Sequence, residues 1–170
     1  MILFLLALLF ILLVLLVFGI FFIISAFTGA PYVPMQRKEI DTVVRLARLT
    51  SGQTLIDLGS GDGSILIAAA KSHIRALGYE INPELCALTW LRIQLSGTRQ
   101  YCTILCCNFW NIHLSNADAL FVYGIPHIMQ RLQSKIQREC RKGVYVISFG
   151  FRFPDWEPIE IRGRLKVYRV

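Results

Sequence analysis

Asp57, Gly59, Ser60, Gly61, Asp62 and Gly63 stand together in the stretch DLGSGDGS (57–64), directly after the apolar run TLI. Alternating glycines allow positive φ and let a backbone approach a ligand closely. The spacing comes near the dinucleotide fingerprint G-x-G-x-x-G without matching it: Gly63 arrives one place early, and Ser64 stands where the third glycine belongs. The two carboxylates, Asp57 and Asp62, would repel a pyrophosphate. They suit a ligand that carries positive charge.

S-adenosylmethionine meets that requirement. Its sulfonium and amino groups are cationic, and backbone N–H groups near a helix N-terminus can take its carboxylate. Glu80 follows about 20 residues after the loop, where an acid can accept both hydroxyls of a ribose. Beside the glycine loop, a ribose role for Glu80 outweighs that of a solvated surface acid, and Glu80→Ala is expected to abolish cofactor binding with the fold intact. The loop acids also argue against an NAD-linked reductase.

These residues need a scaffold that brings them together. QTLIDLG (53–59) reads as a buried strand, SILIAAAKS (64–72) as a helix opening at the glycine loop, and IRALGYEI (74–81) as a second strand. NPELCALTWLRIQLSG (82–97) is a helix with Asn82 as N-cap, Pro83 in its first turn and Gly97 as its stop. Strands at 101–107, 117–124 and 144–151 follow, with an amphipathic helix at 126–143 between the last two. The ten or so residues between the third and fourth strands are too few for a full crossover, which needs a dozen or more. A terminal hairpin turns near Gly163. Alternating β and α units predict an α/β fold: a Rossmann-like, doubly wound, mostly parallel sheet with an antiparallel C-terminal hairpin. In such a sheet ligands sit beyond the carboxyl ends of the strands. The segments that end there, 57–63, 80–82, 108–111 and 123–127, are also the chemically interesting ones.

Ahead of this unit, residues 2–27 carry no charge in a chain of 170 residues that is 55% hydrophobic. Such a run spans a hydrocarbon core of about 30 Å. It is too long for the apolar region of a signal peptide, and no basic residue precedes it. Residues 1–28 are therefore expected to be a transmembrane anchor, 29–52 a linker (TGAPYVPMQ) and an amphipathic helix over 37–49, and 53–170 the catalytic domain. Ile40, Val43, Val44 and Ala47 give that helix its apolar face. Arg37, Lys38, Arg45 and Arg48 follow the anchor, which places the domain on the cytoplasmic side of a bacterial inner membrane or the matrix side in mitochondria. The net charge of +7 suits anionic headgroups. No nucleic-acid motif is present, so no nucleic-acid partner is expected. Cys86, Cys102, Cys106, Cys107 and Cys140 form no C-x-x-C pair and read as buried free thiols of a reducing compartment. His73, His113 and His127 lack ligand spacing, so no metal is expected. His127 reads as an exposed helix-start residue rather than a base.

DLGSGDG with YE (79–80) resembles the first two motifs of the seven-stranded, class I methyltransferases. PYVPM (31–35), VYGIPHIMQRLQSKI (122–136) and GVYVISFGFRFPDWEP (143–158) extend the likeness. The chain resembles, over nearly its whole length, the membrane-anchored protein-lysine methyltransferases that act on mitochondrial ATP synthase (its c-type protomer) and adenine nucleotide translocase, together with their prokaryotic relatives. The resemblance implies S-adenosylmethionine contacts at Asp57, Gly59, Gly61, Gly63 and Glu80, with Ser60 and Asp62 in the same loop. The family pattern after the third strand is Asp-aromatic-Trp, its acid reaching the adenine amino group. Here it is Asn108-Phe109-Trp110. The Asn oxygen still accepts a hydrogen bond, but the charge is lost, and with it some of the expected affinity. Phe109 has two readings, cofactor contact or core packing.

Methyl transfer to an amine is an in-line displacement that depends on proximity and orientation. Tyr123 lies where many amine methyltransferases keep an aromatic acceptor motif, although the Asn-Pro-Pro-Tyr form is absent. Tyr32 could close over the cofactor; the competing reading is that both tyrosines only pack. The expected activity is N-methylation of a lysine on a membrane protein, with the bilayer bound through the N-terminal helix. Methylation of a membrane lipid, quinone or other small molecule is one alternative. A tethered module that binds cofactor without turnover is another, and Asn108 is the feature that permits it.

Overall fold

The computed structural model describes the backbone of residues 1–28 and 33–170, and side chains outside 21–32. Helix α1 (Ile2–Thr28) is apolar on every side, and residues 1–20 are exposed. Among the described residues it is the one helix long and apolar enough to cross a membrane. Part of the expected linker, with Tyr32, lies outside the described residues.

Helix α2 (Arg37–Leu46) opens with a capping box between Gln36 and Glu39. It stops three residues short of the expected end. Arg48 takes φ 52° and reaches across to Glu160, 2.7 Å away, and over the Tyr145 ring. Those tertiary contacts outweigh the helical pattern.

The sheet then forms in chain order: β1 (Thr54–Leu58), α3 (Ser64–Lys71), β2 (Arg75–Glu80), α4 (Pro83–Ser96), β3 (Cys102–Cys106), β4 (Ala119–Val122), α5 (Pro126–Glu139), β5 (Tyr145–Phe149), β6 (Glu160–Arg162) and β7 (Leu165–Arg169). Its seven strands run β3-β2-β1-β4-β5-β7-β6. The first five are parallel; β7 is antiparallel to both β5 and β6. The missing crossover between β3 and β4 is a single 3₁₀ turn, Phe109–Asn111.

Two apolar clusters cover the two faces. One joins Val43 and Leu46 of α2 and Leu66 and Ala69 of α3 to Leu55, Phe121 and Val167. The other joins Ile128, Leu132 and Ile136 of α5 to Ile56, Leu120, Val146 and Tyr168. Residues 55–58 and 119–122 are buried throughout, as central parallel strands must be. Strand order reverses between β1 and β4, so the switch point lies at their carboxyl ends. Asp57 sits there, in register with Gly78 on β2 and Phe121 on β4.

Candidate active site

A cavity of about 330 Å³ opens at that switch point. The loop after β1, the end of β2, the first turn of α4, Asn108–Phe109 and Tyr123–Gly124 all line it. Four segments chosen from sequence therefore meet in one place.

The glycine loop has the backbone it needs. Gly59, Gly61 and Gly63 take φ of 82°, 55° and 73°. Gly63 is held for a second reason: a Cβ there would lie 2.5 Å from Cγ2 of Thr89 on α4. Thr89 in turn donates to the Gly61 carbonyl at 2.8 Å, so loop and α4 are fitted together.

The loop amides correct one expectation. Gly59 and Ser60 N–H donate to the Tyr79 carbonyl, Gly61 N–H to Glu80 Oε2, Gly63 N–H to the Ser60 carbonyl and Ser64 N–H to Asp62. They hold the turn, and are not a free row of donors for a ligand carboxylate.

The acids divide their work. Asp62 pairs with Arg92 and accepts from the Ser64 hydroxyl at 2.8 Å. Burial pushes its carboxyl up, but the Ser64 and Arg92 contacts outweigh burial and hold it below the usual range. Its charge is thus already answered within the protein. Asp57 is 1% exposed, and its Oδ1 has no partner among the described residues. Burial first, then the charges of Glu80 and Asp62, push its carboxyl well above the ordinary value. Glu80 is buried and accepts three backbone N–H groups, from Gly61, Ile81 and Asn82, each at 2.9 Å. Removing it would take the acceptor from three backbone amides, so Glu80→Ala is expected to lower stability as well.

Three buried side-chain oxygens lack a partner among the described residues: Asp57 Oδ1, Ser60 Oγ and Glu84 Oε2. All three line this cavity. Glu84 was not singled out from sequence. Its position beside the Asn82 N-cap and Pro83, one turn beyond Glu80, was the available signal. Leaving such atoms unpaired costs about 1–3 kcal/mol each. Donor groups of a ligand would remove that cost.

Asn108 Oδ1 caps the 3₁₀ turn by accepting from Trp110 N–H at 3.0 Å, and the residue also faces the cavity. Phe109 packs in the α5-side core, as one of its two readings has it, and it also lines the cavity. Tyr123 packs edge-on against Phe149 at 4.7 Å and its phenol oxygen accepts from Arg164 at 3.2 Å. His127 is exposed at the start of α5. The cysteines are all free, but only Cys86 and Cys102 are buried; Cys106 is exposed, because β3 is an edge strand. Among the described residues no group of three or more His, Cys, Asp or Glu could hold a metal.

Several known proteins resemble this chain. Residues 57–160 match the model of the ANTKMT methyltransferase domain. The human lysine N-methyltransferase of the ATP synthase c-type protomer is 36% identical over 133 residues, covering 78% of this chain and 57% of that protein. The mouse adenine nucleotide translocase lysine N-methyltransferase is 34% identical over 138 residues, with 78% and 58% covered. The chain thus spans little more than half the length of these curated relatives. Among solved structures, an RNA methyltransferase from Salinibacter ruber in complex with S-adenosyl-L-homocysteine is 29% identical, with a TM-score of 0.74 over 81% of this chain and 92% of that one. The sheet and its helices have the Rossmann-like methyltransferase fold, and the chain belongs to the family of the ANTKMT methyltransferase domain.

Proposed function

We propose that the chain is a membrane-anchored, S-adenosylmethionine-dependent methyltransferase that N-methylates a lysine of a membrane protein. The observation that carries the cofactor reading is the gathering of every unpartnered buried side-chain oxygen among the described residues, two of them carboxylates, around one cavity at the switch point. A ligand with cationic and hydroxyl donors fits such a lining; a pyrophosphate does not. The lysine reading is supported by the relatives named above.

In this reading Asp57 and Glu84 hold the donor groups of the cofactor's amino-acid end, and Ser60 lies beside them. Glu80 keeps the lone pairs that its three amides leave over for ribose hydroxyls. Asn108 and Phe109 border the adenine. Gly59, Gly61 and Gly63 let the backbone pass close by, and Asp62 braces the turn through Arg92. When bound, S-adenosylmethionine supplies an electrophilic methyl group on a sulfonium.

The acceptor lysine must be neutral to attack. Arg164, held on the Tyr123 phenol, puts positive charge at the acceptor side and disfavours the ammonium form there. Phe109, Phe121 and Val122 keep the cavity wall apolar and dry. Tyr123 offers an aromatic face to the incoming amine; Tyr32, from the linker, is assigned to cover the site. The chain divides into an anchor (1–28), a linker and helix (29–52) and the catalytic domain (53–170). The domain faces the cytoplasm of a bacterium or the mitochondrial matrix, since the basic residues follow the anchor. Tethering raises the effective concentration of targets at the bilayer.

Calorimetric titration of the full chain in detergent tests the cofactor reading. Wild type is expected to bind S-adenosylmethionine and not NAD. Glu80→Ala is expected to bind about 100-fold more weakly, from two charged hydrogen bonds at about 1.5 kcal/mol each. A denaturant melt of the same variant should show a loss of about 3 kcal/mol, because three backbone amides lose their acceptor. No binding by wild type would end the reading. Unchanged affinity in Glu80→Ala would remove Glu80 from the site.

A further inference from the structure

A second groove, of about 650 Å³, runs between α2 and the β6–β7 turn. Five cations line it: Lys38, Arg45, Arg48, Arg162 and Arg164. Its two acids are already occupied. Glu160 takes Arg48 at 2.7 Å and Arg162 at 2.9 Å, and Glu39 closes the capping box of α2 by accepting from Gln36 N–H at 3.1 Å. Among the described residues, Lys38, Arg45 and Arg164 have no carboxylate partner: Arg45 donates to the Thr42 hydroxyl, while Arg164 lies over the Phe149 ring and bonds Tyr123. Beside the groove, burial, and then the like charges of Arg152 and Arg164, hold Lys166 below its usual value.

The groove shares an end with the active-site cavity. β7 pairs antiparallel to β5 with Phe149 opposite Leu165, which puts the β6–β7 turn at the carboxyl end of β5, beside Tyr123. α2 starts at the same end, since Val33 and Met35 just ahead of it line the active-site cavity. Eight residues, 29–36, connect α1 to α2. Fully extended they reach at most about 28 Å, so the end at which α2 starts cannot stray far from the last turn of α1.

We propose that this groove is a phosphate-binding seat for anionic phospholipid headgroups, and that it holds the mouth of the active site against the bilayer surface. The inference rests on the reading of α1 as a membrane anchor. It adds a second, electrostatic contact whose geometry decides which way the site points. A lysine on the membrane-facing loop of an integral protein would then meet the site directly.

Hydrogen exchange on the full chain in nanodiscs tests this. One set is made of phosphatidylcholine, the other of phosphatidylcholine with a minority of phosphatidylglycerol. The amides of 160–165 and of the first turn of α2 are expected to exchange at least about fivefold more slowly in the anionic set, the preference one juxtamembrane cation supplies. The difference should vanish at high salt and in Lys38→Gln/Arg45→Gln/Arg162→Gln, while β1 amides stay protected and so report an intact fold. Equal exchange in the two lipids would overturn the proposal, as would slowing that persists in the triple variant. Slowing in pure phosphatidylcholine on adding an acidic membrane-protein substrate would assign the groove to a protein partner instead. Binding of S-adenosylmethionine to wild type in the phosphatidylcholine set is measured in parallel, so a failed groove and a failed enzyme reading give different results.

Discussion

Asp57 is the residue at which stability and the proposed function conflict. It is buried, unpartnered on one oxygen among the described residues, and close to two other acids. Its carboxyl is raised in the folded chain, so the linkage favours the fold while the group stays protonated. Stability is fully present below the ordinary carboxylate value near 4 and is lost as pH rises through the raised value. Asp57→Asn removes that loss. At neutral pH the ligand-free variant is expected to be about 1–2 kcal/mol more stable than wild type, the gap closing as pH falls toward 4. Saturating S-adenosylmethionine should reverse the order, because only the wild type gains the ion pair. Thermal melts across pH with and without cofactor would show it; a variant no more stable at neutral pH would refute the assignment of an uncompensated acid. The sequence could place Asp57 and Asp62 in one loop. It could not tell that Arg92, thirty residues on, would neutralise one and leave the other bare, since that depends on where α4 lands.

The elements were legible where local signals and tertiary demands agreed. Asn82-Pro83 opens α4 and Gly97 closes it, each with the geometry its residue type favours. The short β3–β4 connection held no helix because it lacked the length. Signals failed where distant contacts decide. The end of α2 is set by Arg48 meeting Glu160. Lys135, a charged residue spaced i+7 from Ile128 and i+3 from Leu132, is 6% exposed and donates to the Ile112 carbonyl at 2.6 Å while pairing with Glu139. That contact braces the segment replacing the lost helix. The fit of the glycine loop to α4 also belongs to this scale. Gly63→Ala is expected to cost about 3 kcal/mol, from left-handed strain and the clash with Thr89. Adding Thr89→Ser removes the methyl and should return about 1 kcal/mol. Denaturant midpoints of the single and double variants measure this; equal midpoints would mean that Thr89 does not set the spacing.

Across the chain as a whole, an apolar helix precedes a single sheet, and a basic groove and an acid-lined cavity meet toward one end of that sheet. In the proposed reading they make a methyl-transferring site tethered at a membrane. Everything proposed for that site turns on the methyl group ending on a lysine of a membrane protein. Membranes lacking this chain, supplied with it and with methyl-tritiated S-adenosylmethionine, provide the test. After extraction of lipids and hydrolysis of the protein, label is expected in methyllysine, and is expected to be absent when Asp57→Asn replaces wild type. Label confined to the lipid extract, or none in either fraction while the chain binds the cofactor, would contradict the lysine assignment.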